Sequence, residues 1–301
     1  MKILVTGGAG FIGSNLVGEL VRENSVVILD NLHSGSLENL KEVKNKIEII
    51  KDSCNNISNL KLPVVDIIFH LGIPSSSPMY KQNPLLVGEA INGTISVFEY
   101  AKKVKAKKVI FASSSSLYNG NQPPHIENME IRVTDYYTEA RFCIERIAKL
   151  YNVLYGVKSA GLRFFSVYGP HEKAKGNYAN MVSQFLWEMK KGKSPIIYGD
   201  GTQSRDFVFV KDVVRALILI MNLEIEHEIY NVGTGISYSF NDIIKVLNDK
   251  LNTNIKPTYI EMPIKNYVDR TLADTRKIKS IGYQTEYSIE KGIDEIISSK
   301  N

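Results

Sequence analysis

A short β-branched run, Lys2-Ile3-Leu4-Val5-Thr6, passes directly into Gly7-Gly8-Ala9-Gly10-Phe11-Ile12-Gly13. Helical spacing follows over residues 14–23, with Leu16, Val17, Leu20 and Val21 on one side. This junction constrains the fold more than any other feature of the chain. Glycines between a strand and a helix permit a tight turn and let a ligand approach the backbone, where a side chain would stand in the way. Gly8, Gly10 and Gly13 fit one dinucleotide-binding spacing, and Gly7, Gly10 and Gly13 fit a second. Either way a helix N-terminus, with its free N–H groups and positive dipole end, faces a phosphate. Val26-Val27-Ile28-Leu29 then closes on Asp30, about 20 residues beyond the glycines. A carboxylate there accepts hydrogen bonds from ribose hydroxyls and repels a 2′-phosphate, and Asn31-Leu32-His33 contains no arginine to receive one. The expected cofactor is therefore NAD, held by Gly7, Gly10, Phe11, Ile12, Gly13, Asp30 and Asn31.

Further strand-like runs lie at Ile47-Glu48-Ile49-Ile50, Val64-Val65-Asp66-Ile67-Ile68-Phe69, Lys108-Val109-Ile110-Phe111-Ala112 and Ala160-Gly161-Leu162-Arg163-Phe164. They alternate with helical patterns, the longest over about residues 135–151. Apolar strands separated by helices predict an α/β fold, a Rossmann-type doubly wound parallel sheet, over residues 1–165. The Pro/Ser-rich residues 74–84 and the segment 119–124 read as loops at the C-terminal ends of strands, where open α/β sheets bind ligands. From residue 166 the pattern is mixed, with helical stretches over 178–191, 211–221 and 240–251. These predict a smaller C-terminal α/β substrate-binding lobe, residues 166–301, with some segments returning to the first domain.

Composition excludes several classes. A chain of 301 residues, 44% hydrophobic and 23% charged, is long enough for a sizeable core. The net charge of +5 is mild, and the lysine-rich residues 102–108 read as a solvated helix end and loop rather than a nucleic-acid footprint. Cys54 and Cys143 form no disulfide framework and have no metal-ligand spacing, which fits a reducing compartment. No apolar stretch reaches the roughly 18 residues of a membrane span, and the N-terminus is not of signal type. The expectation is a cytoplasmic protein without nucleic-acid, membrane or metal partners.

Tyr137 and Arg141 stand one helical turn apart. A cation there favours the phenolate, which makes the tyrosine a usable general base. The run Ser113-Ser114-Ser115-Ser116 ends the strand before Leu117-Tyr118 and offers a hydroxyl to the same substrate oxygen. His70 is expected to support its loop rather than bind metal. Cys143 is expected to be a packed small residue, and Trp187 helix core with Phe185, Leu186 and Met189.

Taken in order, these blocks give a resemblance over nearly the whole chain. It continues through Phe69-His70-Leu71, Asn92-Gly93-Thr94, Leu162-Arg163-Phe164-Phe165-Ser166-Val167-Tyr168-Gly169-Pro170, residues 199–207 and Tyr230-Asn231-Val232-Gly233. The chain resembles the extended short-chain dehydrogenases/reductases, and within them the UDP-glucose 4-epimerase-like sugar-nucleotide enzymes. The resemblance implies Ser114 as the catalytic hydroxyl, Tyr137 as acid/base and Arg141 as its cationic partner. It implies Asp52 and Ser53 near the adenine, Leu71 and Gly72 on the phosphate–ribose side, and Tyr137, Arg141 and Phe164 beside the nicotinamide. Ser114, Tyr137, Ser166, Tyr198, Arg205 and Asp269 would meet the nucleotide sugar, with Arg205 clamping the diphosphate, Tyr198 against the base and Asp269 on the ribose.

Three positions depart from the family pattern. Arg141 replaces the usual lysine, Ser166 the usual asparagine, and Asn266, beside Lys265, the basic residue expected three places before Asp269. The implied activity is epimerisation at C4 of a UDP-hexose by transient hydride transfer to bound NAD, in a homodimer. A sugar-nucleotide 4,6-dehydratase or a decarboxylase is a rival within the family, and related dehydratases carry an acidic pair in the strand-end block where Ser115-Ser116-Leu117 stand. Two further functions stay compatible with these residues. One is a dehydrogenase or reductase that turns over NAD; the second, suggested by Arg141, is a non-catalytic NAD or sugar-nucleotide binder.

Overall fold

The order of strands in the central sheet puts the glycine turn at its middle. The structure, a computed structural model, describes residues 1–261 and 268–299. In chain order the first six strands are β1 (Lys2–Thr6), β2 (Ser25–Leu29), β3 (Ile47–Ile50), β4 (Ile67–His70), β5 (Lys108–Ser114) and β6 (Ser159–Phe164). The short strands β7 (Ser166–Tyr168), β8 (Ile196–Tyr198), β9 (Ser204–Arg205) and β10 (Phe207–Phe209) lie outside the sheet. β11 (His227–Val232) then rejoins it, before β12 (Tyr238–Ser239) and β13 (Thr258–Ile260). Across the seven-stranded sheet the order is β11-β6-β5-β4-β1-β2-β3, with every pairing parallel. The direction of winding reverses between β1 and β4, which opens a crevice at their C-terminal ends. Thr6 pairs there with both Leu29 and His70.

The helices are α1 (Phe11–Leu20), α2 (Ser77–Gln82), α3 (Leu86–Val104), α4 (Tyr136–Tyr155), α5 (Met181–Lys190), α6 (Val210–Asn222), α7 (Phe240–Leu251), α8 (Arg276–Lys279) and α9 (Ile289–Ser298). Alternation along the strands supplies two apolar faces. Ile3, Val5, Ile28 and Leu162 pack under α1 and α6 with Leu16, Val17, Val213 and Leu217. Leu4, Val27, Ile68 and Phe111 pack on the other side with Val97 and Phe98 of α3 and Ile144 and Ala148 of α4. A separate core joins Phe185, Phe207, Phe209, Phe240, Leu247 and Ile293 around α5, α7 and α9.

Several boundaries differ from the periodicity for local reasons. α1 begins at Phe11 rather than residue 14, because Gly10 in extended backbone is its N-cap and the glycine turn leads straight into it. α4 runs a turn beyond residue 151, to Gly156 in the left-handed conformation (φ 68°). α5 starts at Met181, capped by Asn180, since residues 173–178 form separate short turns. Phe185, Leu186 and Met189 are buried on α5, whereas Trp187 on the same helix is only half-buried.

The lysine run is not wholly solvated either. Lys108 is buried and its ammonium donates to the carbonyls of Ile220 (2.9 Å) and Leu223 at the C-terminal end of α6. A cation at that dipole end is stabilising. β11 and α6, although beyond residue 166, cover the edge and one face of the first sheet.

Candidate active site

The turn after β1 is closed by backbone against backbone. Gly7 is left-handed (φ +69°), and a Cβ there would lie 2.6 Å from the nitrogen of Gly72, the residue leaving β4. A Cβ on Gly13 would meet the Gly7 oxygen at 2.1 Å, and one on Gly10 the same oxygen at 3.1 Å. The strand ends thereby approach as closely as main chain allows, and the first-turn N–H groups of α1 point at the space above them. Asp30, buried at the end of β2, is held by the N–H of Ala9 (2.8 Å) and of Leu32 (2.7 Å), one to each carboxylate oxygen. Each oxygen keeps lone pairs for ribose hydroxyls. Asp52 lies at the rim, where a hydrogen bond from Asn56 and then one from Ser53 N–H hold its carboxyl below the usual range. This is a cradle that a dinucleotide fits.

His70 supports the cradle from below. Its Nδ1 and Nε2 pair with Thr6 Oγ1 (2.8 Å) and Thr94 Oγ1 (3.1 Å), while Thr6 Oγ1 accepts Gly72 N–H (3.1 Å). Thr94 Oγ1 itself donates to Ala90 O (2.8 Å), so Nε2 carries the ring proton and Nδ1 accepts from Thr6. Burial, and then Arg141, push the imidazole down to about 3. His70 is thus a neutral tie between β1, β4 and α3. The Cys54 thiol, beside Gly72, is driven up to about 12 by burial and is no nucleophile at neutral pH.

One cleft of about 370 Å³ joins this cradle to the residues of α4 and the strand ends, a size suited to a small-molecule site. Its walls include Gly7, Gly10, Phe11, Ile12, Gly13, Asp30, Asn31, Asp52, Ser53, Leu71 and Gly72 on the cradle side. Ser114, Tyr137, Arg141, Phe164 and Ser166 line the other side. Tyr137 sits in the first turn of α4, whose start is set by a capping box between Asp135 and Thr138. Ser77 Oγ braces the same cap by donating to Asp135 (2.6 Å).

Ser114 ends β5. Its oxygen accepts Ser116 N–H (3.1 Å), which leaves its own proton free to donate into the cleft. Ser113, one residue earlier and on the opposite side, instead donates to Glu145 (2.5 Å). There Glu145 forms a buried ion pair with Arg163 (2.7 Å), extended through Tyr118 to Asn231.

Arg141 is only 3% exposed. Its guanidinium donates to Ala112 O (2.9 Å) and Pro74 O (2.9 Å) and lies 5.0 Å from the centre of the Tyr137 ring. Its Nε is buried without a partner. The arginine therefore braces the end of β5 against the loop after β4 and faces the Tyr137 ring.

Tyr198, Arg205 and Asp269 lie outside this cleft. Tyr198 is on β8 and partly exposed. Arg205 donates to the carbonyls of Ser204, Asp269 (3.0 Å) and Val268, with its guanidinium 5.7 Å from the Phe240 ring centre. Asn266 and Lys265 lie outside the described residues. The cleft also recruits side chains that the motifs did not indicate, notably His33, Asn55, Glu89, Lys175, Tyr178 and Asn180. His33, Asn55 and Lys175 stand in connections after strands, whereas Glu89 lies on α3 and no local signal marked it.

Residues 3–233 match the NAD dependent epimerase/dehydratase family. The chain belongs to that family. Among relatives of this epimerase/dehydratase chain, a putative UDP-glucose 4-epimerase of Methanocaldococcus jannaschii is 34% identical, over 98% of this chain and 97% of its own length. A UDP-N-acetyl-alpha-D-glucosaminuronate decarboxylase of Bacillus cytotoxicus is 30% identical, over 98% and 96%. The UDP-glucose 4-epimerase of Thermotoga maritima, solved with UDP-glucose, superposes with a TM-score of 0.93 at 31% identity, over 99% of this chain and 97% of that one. The UDP-glucuronic acid 4-epimerase of Bacillus cereus, solved with UDP-glucuronic acid and NAD, gives 0.89 at 26%, over 98% of both. The fold is the Rossmann-like α/β fold of these enzymes, the cofactor is NAD, and the family is one of NAD-dependent sugar-nucleotide epimerases and decarboxylases.

Proposed function

We propose that the chain is an NAD-dependent epimerase acting at C4 of a UDP-hexose. The observation that supports this reading is the meeting of Tyr137, Ser114 and the glycine cradle on one cleft. When bound, NAD supplies a reversible hydride acceptor. The chain supplies proton handling and orientation. Tyr137 takes the proton of the sugar's 4-hydroxyl and returns it after the sugar has turned in the site. Ser114 donates to the same sugar oxygen with the proton that its bond from Ser116 N–H leaves free. Arg141 holds the Tyr137 ring in place. Ser166 contacts the sugar, and Tyr198, Arg205 and Asp269 serve the nucleotide end, which lies beyond the cleft.

Ser115 and Ser116 carry no carboxylate for work on neighbouring carbons, which favours epimerisation over dehydration. The same proposal places the enzyme in the cytoplasm as a homodimer. Among the described residues no helix is long and apolar enough to cross a membrane. Ile95 of α3 and Leu150, Val153 and Leu154 of α4 are exposed apolar residues on the helices expected to pair.

The test is incubation of the purified protein with UDP-galactose and chromatography for UDP-glucose. Conversion without net NADH absorbance is expected, whereas stoichiometric NADH points to a dehydrogenase and no conversion of any UDP-hexose rejects the reading. Tyr137→Phe should lower turnover by about a hundredfold or more while NAD binding persists. Unchanged turnover would remove Tyr137 from the chemistry.

A further inference from the structure

The segment from Pro170 to Asn180 passes over the mouth of the cleft and is fastened on both banks. At one end Asn15 of α1 donates to Pro170 O (3.0 Å), Ser14 pairs with His171 Nδ1 (2.9 Å), and Asn39 reaches His171 O (3.4 Å). At the other end Tyr178 donates to Gln82 at the end of α2 (2.8 Å), and Asn180 to Val167 O (3.0 Å). His171 takes a left-handed conformation (φ 74°) to make its turn, held there by its bond with Ser14.

Between the fastenings stands Lys175. Its side chain is only 15% exposed, it lines the same cleft as Gly10, Phe11 and Ile12, and its ammonium is 5.4 Å from the Phe11 ring centre. The acid near it is Glu172, at 3.7 Å, which is also engaged by Asn180 N–H (2.8 Å) and the Ser183 hydroxyl. Burial holds the Glu172 carboxyl above its usual range, and its oxygens are shared with those two donors as well as with the lysine. A lysine that gives up most of its hydration beside the first turn of α1 is placed for an anion.

We propose that Lys175 is a cofactor-binding residue, supplied by the far lobe to the diphosphate that rests on the glycine turn, and that residues 170–178 clasp the dinucleotide in place. The inference rests on the placement of NAD against that turn. A helix N-terminus offers about half a charge, and Lys175 adds a whole one from the opposite side. The clasp explains how a cofactor that is regenerated in each turnover is kept from leaving.

The test uses the full-length protein stripped of nucleotide, with calorimetric titration of NAD, ADP-ribose, adenosine and UDP. Lys175→Met should weaken NAD and ADP-ribose by about tenfold or more, the loss of one charge-assisted contact. It should also flatten their salt dependence and leave adenosine and UDP within about twofold. Lys175→Arg should restore most of the affinity, and Tyr178→Phe should speed NAD release in stopped flow. Unchanged NAD affinity in Lys175→Met overturns the proposal. So does a loss confined to UDP, which would give the lysine to the substrate's diphosphate, and so does an equal loss for adenosine, which would mean the cleft itself had collapsed. A wild-type protein that binds no NAD removes the cofactor placement as well. Full NAD dependence on Lys175 without epimerase activity would instead leave the clasp standing and remove only the proposed reaction.

Discussion

Gly7→Ala sets a methyl carbon against the Gly72 backbone at a left-handed position, where neither strand end can yield. The expected loss of stability is about 2 kcal/mol or more, read from urea unfolding, together with loss of NAD affinity. An unchanged midpoint would show that the turn is not strained as described. His70 makes a pH prediction of definite sign. Unfolded, its imidazole takes a proton below its ordinary 6.5; folded, it stays neutral to about 3. The unfolded chain therefore binds more protons between these values, and stability is lost as pH falls from 6.5 towards 3. At pH 5 the loss is at most about 2 kcal/mol. His70→Gln, which keeps a donor and an acceptor without the titration, should show a flatter fall of stability across that window in paired urea melts. Parallel curves would refute the assignment.

The motifs made Gly7 and Gly13 legible because a turn that admits no Cβ shows in the identity of one residue. Asp30 and Ser114, proposed to act through their side chains, stood out by their places at strand ends. His70 was legible only as a support, since its partners Thr6 and Thr94 come from two other elements. Arg141 was legible as a departure, but not as a brace between Ala112 and Pro74, because those carbonyls are far from it in sequence.

α4 shows how one element carries both packing and chemistry. The Asp135–Thr138 box sets its first residue, and Gly156 ends it. Tyr137 therefore enters the cleft from a fixed turn rather than a fraying one, with the Tyr80 ring edge-on at 5.4 Å. Asp135→Ala removes the cap and the partner of Ser77. It should cost about 1 kcal/mol of stability and lower kcat more than it raises KM, because the loosened group is the one proposed to carry the proton. A purely structural role would lower the melting temperature and leave kcat of the folded enzyme unchanged. Caps and glycine stops of this kind are sequence-local, which is why α7 was legible to the residue over Phe240–Leu251. α1 was misplaced by a turn, because its amphipathic spacing becomes visible only after the glycines have already started the helix.

At the scale of the molecule the chain crosses its own apparent boundary. β11 completes the sheet beside β6, α6 supplies Val213, Leu217 and Ile220 to the core under β1, and Lys108 ties β5 to the end of α6. A fragment of residues 1–165 would expose the open edge of β6 and that apolar face. It is expected to aggregate or melt without a cooperative transition in circular dichroism; a sharp transition would show that the first lobe is autonomous. The change in pattern after residue 165 reads as a boundary, but pairing between segments 68 residues apart leaves no periodicity to read.

Sequence alone determined the strand–glycine–helix cradle, the preference for NAD, the parallel α/β sheet and the pairing of Tyr137 with a cation one turn on. Each of these follows from spacing within a few residues or from backbone chemistry at one position. Tertiary structure decided what those residues face. It turned Arg141 towards carbonyls and a ring, set Arg205 against the carbonyls of Ser204, Val268 and Asp269 outside the cleft, and brought Lys175 and Tyr178 onto the cleft wall from the stretch after Pro170. Contacts of that kind are set by packing between distant segments, and packing is where a one-dimensional pattern stops carrying information.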